Sequence, residues 1–301
     1  MRPRARQDGA RRAARRGRTG VVRPLVLAAA SLLATGCSFF IDRATDRAAD
    51  NLTAAILNHD DPATVRDGAP AYLLLMDSLA EGEPDADTLA AASSLYAAYA
   101  ALFVTDPARA GRLSARSRGY ADRALCEHSE RTCGLGQLDF DSLSGRLEDT
   151  RESDLPVLYA YGVAWLVYIR AHSDDWTALA DLPKTEALLE RIVALDDTYE
   201  NGNPHLFLGV LKTLRPPALG GDPEAARVHF ERAIEIADGR DLSMKVEYAR
   251  GYARLLYERE LHDRLLTEVL EADPVAPRLT LTNTVAQREA SELLASADDY
   301  F

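Results

Sequence analysis

The chain has 301 residues, 47% of them apolar, which is enough for one large domain or two small ones and places it in the globular class. Its formal charge of −12 is unevenly spread: residues 1–36 hold nine Arg against one Asp, a local +8, so the remainder carries −20. That excess of acid argues against nucleic acid as the partner of the mature protein.

The front end reads as a targeting segment. Arg-rich sequence runs to Arg23, an uncharged stretch extends from Pro24 to Gly36, and small residues lead into Cys37. A basic region, a short apolar run and a small-residue site make a signal sequence, and the run is too short for an ordinary membrane span. Its end resembles a bacterial lipoprotein signal, with residues 1–36 removed and Cys37 lipidated. The alternative is a plain secretory signal with an incidental cysteine. Either way the domain, residues 37–301, is exported to an oxidising compartment. There Cys126 and Cys133 are expected to form a disulfide; two free thiols are the alternative. Two thiols and His128 fall one ligand short of a tetrahedral metal site.

Helical periodicity dominates the chain beyond Cys37. Residues 38–58 repeat Ile41, Ala44, Ala48, Leu52, Ala55 and Ile56 at helical spacing. Gly68-Ala69-Pro70 punctuates, so a new helix is expected from Pro70, ending at Glu83-Pro84. Residues 85–104 are Ala-rich, as in close helix–helix contact, and Asp106-Pro107 opens a helix running through Tyr120 and Leu125. Residues 128–153 are polar, with a short helix expected from Phe140 to Leu147, and read as a flexible segment. Leu155–Ile169 holds no charge at all and is apolar all round, which predicts a central helix buried on every side.

Pro183 opens a further helix. From Asn201 to Ala237 the chain reads as helix, irregular loop, helix. Asn203 is the expected cap, Leu206, Phe207, Val210, Leu211 and Leu214 share one face, and His205, Leu208, Lys212 and Arg215 form a second stripe. Two prolines and two glycines, Pro216, Pro217, Gly220 and Gly221, break the helix before Asp222-Pro223 restarts one. Later helices are expected after Asp241, over Leu261–Leu270 and over Thr282–Ala297. No stretch alternates with period two for long enough to make a strand. The fold class is all-α.

Helix pairs recur at about 34–45 residues, the range of helical-repeat arrays. Leu208-Gly209 together with Ala226, Phe230 and Ala233 fits a degenerate tetratricopeptide (TPR) repeat, with a longer loop between the two helices. Stacked hairpins with extra terminal helices are the expected architecture.

The stretches Trp165–Trp176, Asn203–Gly221 and Met244–Arg250 resemble TatT, the T component of TPR-associated TRAP (tripartite ATP-independent periplasmic) transporters. The resemblance covers most of residues 40–300 and is strongest from 155 onward. It implies an exported lipoprotein that forms trimers, holds a cavity or pore in each protomer, and associates with the substrate-binding (P) subunit of a TRAP system. It implies a place on the periplasmic side of a membrane, the outer one by preference.

Catalytic patterns are missing. The Asp60-Asp61, Asp174-Asp175, Asp196-Asp197 and Asp298-Asp299 pairs sit at helix ends, where capping accounts for them. No two His share the metalloprotease spacing, and no phosphate loop, nucleophile elbow or dinucleotide fingerprint occurs. The chain therefore reads as a non-enzyme without cofactor or metal. The candidate ligand contacts are Lys212 and Arg215, whose charge suits an acidic solute, with Leu208, His205 and Trp176 as further lining. The competing reading is that both cations complement a helix C-terminus and its acidic neighbours. Pro216, Pro217, Gly220 and Gly221 form the candidate partner-binding loop. A general TPR scaffold for envelope assembly is the alternative function.

Overall fold

Aspartates set the helix starts, as the sequence suggests. The computed structural model describes residues 51–301, so Cys37 and the signal segment lie outside the described residues. Asp61, Asp85, Asp106, Asp139, Asp175, Asp222 and Asp241 each accept a first-turn backbone N–H with the side chain. A carboxylate there satisfies an otherwise orphaned donor and faces the positive end of the helix dipole.

Residues 51–57 are helical. Beyond them lie α1 (Pro62–Leu79), α2 (Ala86–Phe103), α3 (Pro107–His128), α4 (Phe140–Glu148), α5 (Leu155–Ala171), the single turn α6 (Trp176–Leu179), α7 (Leu182–Leu195), α8 (Asn203–Thr213), α9 (Pro223–Ile236), α10 (Leu242–Tyr248), α11 (Arg259–Glu271), α12 (Thr280–Ala295) and the short α13 (Ala297–Tyr300). No strand occurs among the described residues, and none of their helices is long and apolar enough to cross a membrane. The class is all-α.

Two expectations need correcting. Gly68-Ala69-Pro70 does not divide α1, which runs through Pro70. Val65, Ala69 and Leu73 are buried along one face, so packing on α2 offsets the hydrogen bond that Pro70 cannot make. Leu214 leaves the buried face of α8 and is exposed, because the chain turns away immediately after Thr213.

Neighbours in sequence are neighbours in space. The α2–α3 pair packs most extensively, α5 lies against both, α7 packs on α5, α8 on α7, α9 on α8, and α10, α11 and α12 contact one another. The helix α5, uncharged up to Ile169, is the axis of the core: Leu158, Tyr161, Ala164, Trp165 and Ile169 are all without exposure, and its neighbours are α2, α3, α7 and α8. Residues 128–153 form two 3-10 turns and α4, and the Cys126 and Cys133 sulfurs are joined there.

Candidate functional site

The α8–α9 hairpin carries most of the residues the sequence singles out. Its close approach depends on Gly209. A Cβ at that position would stand 2.9 Å from three ring carbons of Phe230, which is itself wholly buried on α9. Only hydrogen at Gly209 lets the ring lie flat on the α8 backbone. Phe230 in turn stacks on Tyr248, with ring centroids 5.1 Å apart.

A polar line crosses the hairpin. His205 is buried near the start of α8, where Gly202 in the left-handed region, and not Asn203, precedes the first turn. Its Nε2 lies 2.9 Å from Asp197 Oδ1, and its Nδ1 lies 2.9 Å from Nδ1 of His229 on α9. A carboxylate only accepts, so the His205 Nε2 carries hydrogen, and one hydrogen lies between the two facing Nδ1 nitrogens. Burial, then His205 and Lys212, push the His229 imidazole down to about 4. Asp197 also accepts from Arg232 Nε at 3.1 Å; Arg232 first and His205 second hold its carboxyl below the usual range.

Lys212 lies two turns along α8. Its ammonium bonds Glu186 of α7 and stands 3.6 Å from Glu190. Burial alone would favour the neutral amine, but Glu186 and then Glu190 and Asp222 reverse that, so Lys212 is held above its ordinary value. The cation is matched by two carboxylates and ties α8 to α7.

The loop after α8 is fixed by its own backbone. Gly221 N–H donates to Pro216 O at 3.2 Å, Leu219 N–H to the same oxygen at 2.9 Å, and Asp222 N–H to Lys212 O at 3.0 Å. A Cβ on Gly221 would fall 1.8 Å from Arg215 O, so this position admits no side chain without moving the loop. Pro216, Pro217 and Ala218 face solvent and Leu219 is 64% exposed. The Arg215 guanidinium lies beside Gly220; its Nε is buried without a hydrogen-bond partner, and it pairs with no carboxylate among the described residues.

The five candidate ligand contacts therefore do not form one lining. His205 and Lys212 belong to the line through His229 and Glu186. Leu208 is wholly buried in the core, and Trp176 opens α6 with 82% of its surface exposed. Arg215 stands apart on the loop. An open depression of about 780 Å³ is lined by Tyr248, Tyr257, Glu258, Arg259, Glu260, Leu261 and Arg264, none of them among the five. No group of three or more metal-ligating side chains is assembled among the described residues. His229 and Glu186 escaped sequence reading, since they reach His205 and Lys212 only across helix–helix contacts. The one usable signal was acidic residues on the helix preceding a predicted basic stripe.

No curated protein matches the chain. The family model described as TRAP transporter T-component (TAtT) matches residues 58–301. That span holds all thirteen helices from α1 to α13, and the chain belongs to the T-component family of TRAP transporters.

Proposed function

We propose that this T component works as an exported, lipid-anchored accessory subunit that docks the substrate-binding (P) subunit of its TRAP transporter through the loop between α8 and α9. One feature of that loop supports the assignment. A rigid turn presents Leu219, Pro216 and Pro217 to solvent beside a guanidinium that has no acidic partner among the described residues. Exposed apolar surface with an arginine at its edge has the composition of a protein interface, and a preformed backbone loses little entropy on binding. Lys212, by contrast, serves the hairpin that presents the loop. Within this reading Arg215 is also the residue through which an acidic or amphipathic solute would be contacted. The subunit acts as a trimer on the periplasmic side of the membrane, anchored through Cys37. The outward leucines of α1, Leu74, Leu75 and Leu79, are consistent with self-association.

The test is a binding measurement between the purified T component and the P subunit of the same transporter. Arg215→Glu combined with Leu219→Asp is expected to weaken binding at least tenfold, roughly 1.4 kcal/mol or more. Both side chains are solvent-facing or half-buried loop groups, so the helical circular-dichroism signal and its melt stay unchanged. Undiminished affinity in the double variant removes the loop from the interface.

A further inference from the structure

A second surface lies far along the chain from that loop, and its case is independent of the transporter assignment. Between α3 and α5 three segments meet around an open depression of about 480 Å³: the loop closed by Cys126 and Cys133, the last turn of α4, and the turn leading into α5. Its lining is Glu130, Arg131, Arg146, Asp149 and Arg151.

The frame behind these side chains is tightly bonded. Thr132 Oγ1 donates to Leu125 O at 2.6 Å. Asp154, without any exposure, lies 2.9 Å from His128 Nε2 and 3.2 Å from Arg131 Nε, and accepts the Arg151 backbone N–H at 2.9 Å. Arg191 on α7 donates to Thr150 O at 2.6 Å and closes the rear. The charge of Asp154 is thereby matched by Arg131, which leaves the other two arginines. Arg146 donates only to the backbone carbonyls of Arg131 and Glu130, at 3.3 and 3.4 Å. Neither Arg146 nor the exposed Arg151 reaches a carboxylate within ion-pair distance among the described residues, in a protein that is otherwise rich in acid.

A guanidinium fork with free N–H groups fits a carboxylate in two-point fashion. The depression is open, so a small anion held there stays hydrated and screened by salt. A protein segment brings its own surface and excludes that water. Glu130 and Asp149, exposed at the rim, repel a dense polyanion more strongly than a segment that carries one or two carboxylates. We propose that this depression docks a segment of a partner protein bearing one or two Asp or Glu side chains, received by Arg146 and Arg151.

The probe is a short synthetic peptide with two adjacent glutamates in a Gly/Ser frame, titrated at low salt into the full-length ¹⁵N-labelled protein while the arginine Nε–H signals are followed by NMR. Saturable shifts at Arg146 and Arg151 are expected. Arg151→Glu, at a side chain that makes no hydrogen bond or ion pair among the described residues, weakens the titration severalfold, and Arg146→Glu with Arg151→Glu weakens it about tenfold. Arg240→Glu, the same charge change on an exposed arginine elsewhere, leaves it intact. Equal weakening by Arg240→Glu, shifts spread over all arginines, or unchanged binding in Arg151→Glu would each overturn the proposal. So would inorganic phosphate, citrate or phosphatidylglycerol vesicles producing the same shifts as strongly as the peptide.

Discussion

Replacing Gly209 by Ala separates two opposing effects on α8. Glycine inside a helix costs about 0.5–1 kcal/mol relative to alanine, so helix propensity by itself predicts a more stable protein. The geometry predicts the reverse. The new methyl would sit 2.9 Å from Cδ1, Cε1 and Cζ of Phe230, well inside contact distance, and that ring is wholly buried and stacked on Tyr248. Overpacking of this kind costs about 1–3 kcal/mol. Subtracting the propensity gain leaves a net loss of about 1 kcal/mol, within a range of roughly 0–2.5. Urea unfolding followed by circular dichroism reads this as a lower midpoint with unchanged slope. For a domain of this size the melting temperature falls by about 2–4 °C per kcal/mol. Phe230→Leu in the Gly209→Ala background makes room for the methyl, and the two substitutions cost less together than the sum of each alone. A Gly209→Ala protein as stable as the parent, or more so, would show that Phe230 does not lie on the α8 backbone and that the hairpin is packed otherwise.

Three further outcomes rest on the same structure. His229 has a depressed value, so between its unfolded 6.5 and about 4 the unfolded chain binds a proton that the native state refuses; stability falls as pH drops through that window, and His229→Gln flattens the slope measured by urea titration at pH 7 and pH 4.5. Cys126→Ser with Cys133→Ser opens a short cross-linked loop and lowers stability by about 2 kcal/mol, and reducing agent then has no further effect on the melt. Cys37→Ala moves the exported protein from the membrane fraction into the soluble fraction; continued membrane association in that variant would show that something other than a lipid on Cys37 holds it.

Much of the fold is written locally. Capping aspartates followed by proline mark where α1, α3 and α9 begin, because a side-chain acceptor and a missing N–H belong at a helix start wherever the helix then packs. The uncharged run in α5 announces a core helix, and most of it is buried, although burial on every side does not hold: Tyr159, Val163 and Val167 are only partly covered along one stripe. Residues Trp165–Trp176 and Asn203–Gly221 were enough to suggest the family, which the match over residues 58–301 establishes. The exposed double-proline loop is likewise legible, since its break in periodicity is a property of the chain itself.

Side-chain roles were not legible in the same way. Periodicity put His205, Leu208, Lys212 and Arg215 in one stripe, yet tertiary packing gives them four different environments: a histidine pair, the core, an ion pair on α7, and a loop. Sequence spacing reports angle around one helix axis. Whether a cation on that face is free or matched depends on what neighbouring helices bring, and Glu186 and His229 arrive from 26 and 24 residues away. The sequence by itself thus determined the helical class, most of the helices and the family, because these follow from short-range sterics and hydrophobic period, while limits such as the start of α1 did not follow. Only the tertiary structure decided that Lys212 is paired with carboxylates while Arg215, Arg146 and Arg151 meet none among the described residues, because electrostatic pairing acts across contacts that no local pattern encodes.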